Sequence, residues 1–431
     1  MRHLTRIFLG IALITLSGSM VQAQEELTVS SALEKALENN YGIIISQSQE
    51  DIASLNNHWG EAGRYPTIGF TAASSNSMEL TDPSATNRLT GGVGMNWILF
   101  DGYRVHVTKS RLSRLENLAR GRSAVVVENT IQDVILGYYN VLMQKEQLEV
   151  LERVMKLSRD RYNYEMLRKE IGSSLSYNVL QAKNVYLEDS ASYLSQQVVV
   201  RNTIRNLNFI LGEDPSVRWS FTESFQPDTS RYQLGSLLDK MTSNNQTLQN
   251  QYVNLMLSQD QVKLSQSELY PTLSFSAGLD NGWSRRKNQG MDPVTGETVT
   301  PYGNVSLSYN IYSGGTRKRA VEVARVNEQI TLTETEEIRH SLINVLYNEY
   351  DLYNVRSTLL AVADENLEAA ELNLKIAEDK FRSGAINSFN YRDIQLIYIN
   401  AALQRLRSVY NLIDSRTNLT RLIGGFVDEE V

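Results

Sequence analysis

One nine-residue pattern occurs twice in this chain of 431 residues. The stretch RYPTIGFTA at residues 64–72 returns as LYPTLSFSA at residues 269–277. Beyond residue 97 the match continues at a spacing of 212 positions, through the pairs Gly102 and Gly314, Tyr138 and Tyr350, Gly172 and Gly384, and Gly212 and Gly424. Self-similarity at a fixed spacing indicates a tandem duplication, so the chain builds one structural unit twice.

The duplication divides the chain into two copies, residues 24–212 and 233–424. The segment between them, 213–232, contains two prolines and is interpreted as a linker, and residues 425–431 form a C-terminal tail. Each copy has the same predicted order: one helix, two short segments of alternating polarity, and one very long helical stretch. The first helices are predicted at about 28–62 and 233–267.

The N-terminus has the pattern of a secretory signal. Arg2 and Arg6 form a basic start before the apolar run from Ile7 to Leu16, and Val21-Gln-Ala23 has the pattern of a small-residue cleavage site. We therefore expect residues 1–23 to be a signal peptide, since the run is shorter than the ~20 residues that span a bilayer. Without those two arginines the formal net charge of −7 becomes −9, which argues against a nucleic-acid partner. The sequence has no cysteine, which excludes disulfides, thiol catalysis and cysteine-bound metals.

Two stretches, 102–212 and 314–424, contain none of the seven prolines and are predicted to be helical. In the second, Ile338, Val345, Leu352 and Leu359 recur every seven residues, as in a coiled coil. A helix of that length would extend for roughly 100 Å. We expect each stretch to reverse at its glycine, Gly172 or Gly384, because glycine adopts the left-handed conformation that ends helices. A kink in one continuous helix is the alternative.

Four shorter segments alternate in polarity and predict β-strands. One face of each is apolar, and the other carries small uncharged residues: Thr, Ser, Gly and Asn. Period-two alternation is typical of a strand with one apolar face, although a strand on a soluble core alternates in the same way. The predicted strands are about 66–76, 88–100, 271–283 and 302–312.

Aromatic residues lie at the helix-facing end of each predicted strand. They are Tyr65, Trp97, Phe100, Tyr270, Tyr309 and Tyr312. Outer-membrane β-barrels carry such an aromatic girdle at the water interface, and their strands need ~9–11 residues to cross. The sequence therefore predicts membrane strands in contact with outer-membrane lipid.

Four strands are too few to close a barrel, because the smallest bacterial barrels have about eight. An open strand edge does not occur in lipid, where its backbone N–H and C=O groups would be unpaired. The chain must therefore share a barrel with copies of itself. Two copies would give a barrel of eight strands, nearly filled by side chains, and three copies one of twelve with an open lumen. The small polar face favours three copies.

Several motifs resemble the TolC-like outer membrane efflux proteins. They are the repeated Tyr-Pro-Thr, the sequence WILFDGYR at 97–104 with its echo YNIYSGGTR at 309–317, and the helical stretches ending NFILG and TRLIG. The resemblance covers essentially the whole mature chain. It departs from the family at Ile98, where proline is common, and at Lys169, where the family prefers an aromatic residue; Phe381 meets that preference.

The resemblance implies a mainly α fold with membrane β-structure. Tandem-duplicated long helical hairpins would form a trimeric α-helical tunnel in the periplasm. Four strands from each copy would form a shared 12-stranded barrel in the outer membrane of a Gram-negative bacterium. A periplasmic adaptor and an inner-membrane pump would deliver substrate, and the channel would conduct it passively to the outside, as the exit duct of tripartite efflux or type I secretion.

The resemblance also implies site residues. Acidic rings near the hairpin tips narrow the periplasmic entrance in this family, and the matching positions here are Asn390 and Asp393. Three Asp393 carboxylates around the channel axis would form a ring of negative charge that selects permeating molecules by charge and size. The alternative is that Asp393 is an ordinary solvent-exposed aspartate on a helix. Adaptor contacts are expected at the tips, although the basic residues there could serve only to solvate a hairpin end. The tip residues are Arg168, Lys169, Gly172, Lys380, Phe381, Arg382 and Gly384.

Two other functional classes compete. An enzyme is disfavoured because His58, His106 and His340 lack metal-ligand spacing and no GxSxG motif occurs. The sequence thus predicts no catalytic residue, no cofactor and no metal site. A soluble periplasmic coiled-coil scaffold would explain the helices but not the strands with their aromatic ends. A lumen of small polar groups suits drugs, metal ions, siderophores or polypeptides alike as cargo.

Overall fold

The computed structural model describes residues 25–79, 84–288 and 290–428. The predicted signal peptide lies outside the described residues. The described chain is mostly helical, with four long strands in one sheet, as predicted. In the first half the elements are β1 (Glu25–Leu27), α1 (Val29–Asn39), α2 (Tyr41–Asn56), β2 (Thr67–Glu79), β3 (Ser84–Phe100), α3 (Arg104–Glu170) and α4 (Ser176–Leu211).

The second half repeats this order after a short linking strand. Its elements are β4 (Trp219–Phe221), α5 (Leu234–Asn244), α6 (Gln246–Ser267), β5 (Thr272–Asn288), β6 (Val294–Ser308), α7 (Thr316–Arg382), α8 (Ser388–Leu422) and α9 (Gly425–Asp428). The short α9 lies in the predicted C-terminal tail.

An asparagine divides the first helix of each copy in two, so the predicted single helices 28–62 and 233–267 are wrong. The Asn40 Oδ1 accepts a hydrogen bond from the Gly42 N–H at 2.8 Å, and its Nδ2 donates to the Ile210 carbonyl at 2.7 Å. Asn245 makes the same two kinds of contact in the second copy. Asparagine stops a helix here because its side chain caps the next one in place of the backbone.

The long helices α3 and α7 each contain 67 residues, which corresponds to about 100 Å. Each reverses into an antiparallel partner. The Gln196 Nε2 of α4 donates to the Gln144 carbonyl of α3 at 3.0 Å. Arg356 of α7 donates to the Asp414 Oδ2 of α8 at 2.8 Å. This packing confirms two helical hairpins and excludes the kinked single helix.

The four long strands form one antiparallel sheet in the order β2-β3-β5-β6, so that β3 and β5 join the two copies. The strands extend further from the helices than predicted. The prediction 302–312 for β6 is wrong at both ends, and Tyr309 and Tyr312 follow the strand. Pro301 accounts for the missed start: it suggested a loop, but it lies within β6, an edge strand of the sheet formed by one chain, where proline is tolerated.

The predicted linker is folded. Its strand β4 pairs in parallel with β1, and the buried Trp219 donates from Nε1 to the Asn208 Oδ1 at 2.6 Å. Three-residue strands are too short to show a period of two, so the sequence pattern missed them. The linker thereby ties the start of the chain to the end of α4.

The main core lies where the linker meets α1, α3, α5, α7 and α8. Two buried tyrosines bind the surrounding chain there. The Tyr138 hydroxyl donates to the Leu27 carbonyl at 2.8 Å, and the Tyr353 hydroxyl donates to the Ser230 carbonyl at 2.6 Å. Burial raises the pKa of Tyr138 to about 12, so this donor keeps its proton at physiological pH. Smaller clusters continue along the hairpins towards their tips.

A buried carboxyl on α3 makes stability depend on pH. Glu128 is 5% exposed, and burial raises its pKa from 4.5 to about 7, against the lowering effect of the Arg421 guanidinium. The folded protein therefore binds this proton more tightly than the unfolded chain does. The stability from this site is present below pH 4.5 and is lost as the pH rises to about 7.

We expect Glu128→Gln to stabilise the protein at alkaline pH by removing the buried charge. At pH ~8 the free energy of unfolding should rise by up to about 3 kcal/mol, and at pH ~5 the gain should be much smaller. Thermal unfolding of detergent-solubilised protein at both pH values measures this. Glu149→Gln, at an exposed position on the same helix, should change neither midpoint. Equal midpoints for wild type and Glu128→Gln at pH ~8 would contradict the assignment.

Candidate functional site

Both hairpins end in the same turn. Gly172 and Gly384 have φ values of 79° and 76°, in the left-handed region that favours glycine. In the first turn the Ser173 N–H donates to the Arg168 carbonyl at 2.8 Å, and in the second the Ala385 N–H donates to the Lys380 carbonyl at 2.8 Å. These bonds satisfy carbonyls that a helix end leaves free. The two tips are thus built alike from the backbone upward.

The basic tip residues divide into paired and unpaired side chains. Arg382 pairs with Glu378 on its own helix, and Arg168 donates to the Ser173 carbonyl at 3.2 Å. Lys169 and Lys380 are exposed and make no ion pair within the described residues. All four lie in the last turns of α3 and α7, where positive charge complements the helix dipole. The lysines therefore remain available to another molecule.

The first tip also presents apolar side chains that the sequence analysis did not identify. Ile171 is 74% exposed and Leu175 is 71% exposed, on either side of Gly172. Nothing in the described chain covers them. Their position next to a turn glycine, where polar residues are usual, was the available signal.

Phe381 was expected to contact the adaptor at the hairpin tip, but its side chain is buried. It is buried beside Ala377, and its ring stacks on Tyr391 at 4.9 Å between centroids. Tyr164 from the first hairpin meets Phe381 edge-on at 5.5 Å. Phe381 thus joins the two hairpins just behind the tips and offers no outer surface.

The predicted gate positions lie on the exposed face of α8. Asn390 and Asp393 are both exposed and lie three residues apart, so they share one side of the helix. The Asn390 N–H is capped by the Asn387 Oδ1 at 2.9 Å. The Asp393 carboxylate has no hydrogen bond or ion pair within the described residues. Its charge is therefore uncompensated within the single chain.

A buried ion pair connects the two hairpins near this face. Arg392 of α8 binds Asp189 of α4 through two hydrogen bonds, of 3.0 and 2.8 Å. On α3, Arg161 is 3% exposed, and burial followed by the nearby Arg392 charge lowers its pKa. Glu165, also buried, accepts a hydrogen bond from the Ser174 hydroxyl. The Arg392–Asp189 pair thus connects α8 of the second hairpin to α4 of the first above the tips.

The buried charges interrupt the repeat, which is the sequence signal that could have found them. Arg392 corresponds to Leu180 in the first copy, and Asp189 corresponds to Ala401 in the second. Each charge thus occurs in one copy only. At these two positions the departure from the repeat coincides with a contact between the copies.

At the other end of the long helices, the predicted aromatic girdle residues lie at the helix-facing end of the sheet. The strands β2 and β5 begin, and β3 and β6 end, at this end of the sheet. Tyr65, Tyr270, Tyr309 and Tyr312 are exposed there. The Trp97 indole donates from Nε1 to the Arg64 carbonyl at 2.9 Å, and Phe100 packs edge-on against Tyr103 at 5.5 Å.

The two faces of the sheet differ in chemistry. On β5, one face carries Leu273, Phe275, Ala277, Leu279 and Trp283. The other carries Thr272, Ser274, Ser276, Gly278 and Asp280. The strand register places mostly apolar residues of the four strands on one face and mostly small polar residues on the other.

Within the described ranges, no helix is both long and apolar enough to cross a membrane. The same part of the chain contains no group of three or more His, Cys, Asp or Glu side chains placed to hold a metal ion.

The sequence matches the outer membrane efflux protein family over residues 32–213 and 237–425, which are the two copies of the repeat. The chain belongs to this family. Outer membrane efflux proteins are channels of tripartite efflux systems and not enzymes. The protein is therefore a transport protein of the Gram-negative outer membrane with its helical part in the periplasm, which removes both competing classes.

Solved structures share the fold. CusC superimposes with a TM-score of 0.75 at 14% identity, with 93% of each chain covered. VceC of Vibrio cholerae has a TM-score of 0.73 at 14% identity, covering 92% of this chain and 96% of its own. CmeC of Campylobacter jejuni has a TM-score of 0.71 at 14% identity, covering 98% and 94%. At these identities the likeness establishes the fold. No curated protein matches the sequence.

We expect Arg392→Ala to destabilise the protein because it leaves the Asp189 carboxylate buried without its partner. The free energy of unfolding should fall by about 3–5 kcal/mol. Arg405→Ala is the matched control, because Arg405 lies on α8 like Arg392 but pairs with an exposed carboxylate, that of Asp364 on α7, at 2.7 Å. The loss of this pair should cost less than about 1 kcal/mol. Thermal unfolding in detergent measures both.

A double variant tests the cause. Arg392→Leu with Asp189→Ala installs the residues that the other copy carries at these positions, and it should recover most of the stability. Similar losses for Arg392→Ala and Arg405→Ala would show that the buried pair has no special role.

Proposed function

We propose that three copies of this chain form a channel with a closed β-barrel, which conducts substrate passively from the periplasm to the outside. One observation carries this proposal. The sheet ends in two free edges, β2 and β6, and its apolar face is exposed along its length. Free edges do not occur in lipid, so each β6 must pair with the β2 of the next copy. Three copies give twelve strands and a lumen lined by the small polar face.

The long helix α7 supports the same assembly. Leu346, Tyr353 and Leu360 are buried at a spacing of seven inside the single chain. The predicted heptad residues Val345, Leu352 and Leu359 lie one position earlier and are exposed. An apolar row at heptad spacing is typical of helices that pack side by side. We therefore expect the exposed row, Val345, Leu352 and Leu359, to pack against α7 or α4 of a neighbouring copy. Such packing would make the wall of the tunnel continuous.

The tips are the proposed contact for a periplasmic adaptor, which would link the channel to an inner-membrane pump. The exposed Ile171 and Leu175 supply apolar area, and the unpaired Lys169 and Lys380 surround it with positive charge. An apolar centre with a charged rim is typical of protein interfaces. Arg168 and Arg382, which are bound to neighbouring groups, would contribute through the fixed shape of the turns.

The mass and shape of detergent-extracted protein test the assembly. We expect a trimer with a rod of roughly 100 Å projecting beyond the micelle, given the length of α3 and α7. Light scattering gives the mass, and imaging of single particles gives the shape. A monomer, or a protein that stays soluble without detergent, would contradict the shared barrel.

The Asp393 ring is the proposed selective element of the entrance. Since the carboxylate has no partner within the described chain, three copies would place uncompensated negative charge around the axis. Asp393→Ala should lower the preference for cations, measured as reversal potential in planar bilayers under a salt gradient. Asp239→Ala, an exposed aspartate on α5, is the control and should leave selectivity unchanged. Identical reversal potentials for wild type and Asp393→Ala would remove the gate assignment.

A further inference from the structure

Basic side chains gather on β5 at the end of the sheet that lies away from the helices. Arg285 and Lys287 follow Trp283 at a spacing of two and therefore share its apolar face. Arg286, between them, points to the polar face. With the helices in the periplasm, this end of the sheet is the extracellular one. On β5, Trp283 is the last apolar side chain of this face, and the two cations lie just beyond it.

These two cations have no counter-charge in the described part of the chain. Neither makes an ion pair or a side-chain hydrogen bond there. Their cross-strand neighbours are neutral: Asn87 and Thr295 face Arg285, and Ala85 faces Lys287. The nearest acidic residue on this face is Glu297, which lies opposite Trp283 and accepts a hydrogen bond from the Asn281 Nδ2 at 3.3 Å.

The position determines the chemistry of the partner. A group that meets Arg285 and Lys287 must lie immediately outside the hydrocarbon of the outer leaflet and must be anionic. The outer leaflet of a Gram-negative outer membrane is a glycolipid that carries phosphates at this depth. An arginine guanidinium matches the oxygens of a phosphate with two parallel hydrogen bonds, and lysine adds a point charge.

We propose that Arg285 and Lys287 bind the phosphate groups of the outer-leaflet glycolipid. The inference rests on the proposed barrel, which turns the apolar face of the sheet towards lipid. Three copies would place three such cation pairs around the outer rim. Each pair would hold a lipid at a fixed depth, next to the aromatic ring of Trp283.

The test uses two double variants that remove the same charge at the same height from opposite faces. Arg285→Gln with Lys287→Gln removes the outward pair. Arg88→Gln with Arg286→Gln removes two cations from the polar face: Arg286 on β5 and Arg88 on the neighbouring β3, where it lies opposite Ser284. The probe is rough lipopolysaccharide added to detergent-solubilised protein, compared with the same lipid after its phosphates have been removed. Bound lipid is quantified by native mass spectrometry.

We expect the outward double variant to bind the phosphorylated lipid about 30-fold more weakly, because each basic side chain near an anionic membrane surface contributes about fivefold. The control double variant should bind as wild type does, and wild type should lose a similar factor with the dephosphorylated lipid. Equal binding by all three proteins, or equal binding of both lipids, would overturn the inference. Channel formation by wild type in planar bilayers separates the two proposals: channels without a phosphate preference refute only the lipid site, whereas no channels refute the barrel on which it depends.

Discussion

The need to pair the backbone at the edges of one sheet governs this molecule. Four strands make a surface that is mostly apolar on one side and mostly polar on the other, and among the described residues neither β2 nor β6 has a partner on its outer edge. In water such an edge is tolerated, but in lipid each unpaired N–H and C=O costs several kcal/mol. The proposed barrel, the trimer and the continuous tunnel all follow from satisfying those groups with further copies.

Duplication supplied the frame, and divergence supplied its specific contacts. Both copies keep the asparagine that divides the first helix and the glycine that turns the hairpin. The buried pair Arg392–Asp189 breaks this symmetry, as does Phe381, whose counterpart Lys169 is exposed. Two identical hairpins could pack in either order, whereas charges buried in one order only select a single arrangement. The specific packing of the two hairpins is therefore determined by positions at which the two copies differ.

Much of the fold could be predicted because the signals are periodic and long. The proline-free stretches predicted the long helices α3 and α7, and the period-two alternation predicted the four strands. Gly172 and Gly384 predicted the turns of the two hairpins. The errors have physical causes. Pro301 hid the true extent of β6, and the capping side chains of Asn40 and Asn245 divided helices whose propensity is continuous. The Arg392–Asp189 pair could not be predicted, because the two residues lie on different helices and meet only through the packing of the hairpins.

The two rows on α7 have a consequence for how the protein is made. Leu352, in the exposed row, and Tyr353, in the buried row, are neighbours in sequence, yet one faces the proposed assembly and the other holds the fold of a single copy. Each copy can therefore complete its own hairpins before it meets another. The proposed trimer therefore implies two stages of biogenesis, the folding of each chain and then the closure of the barrel, in which adjacent residues act in different stages.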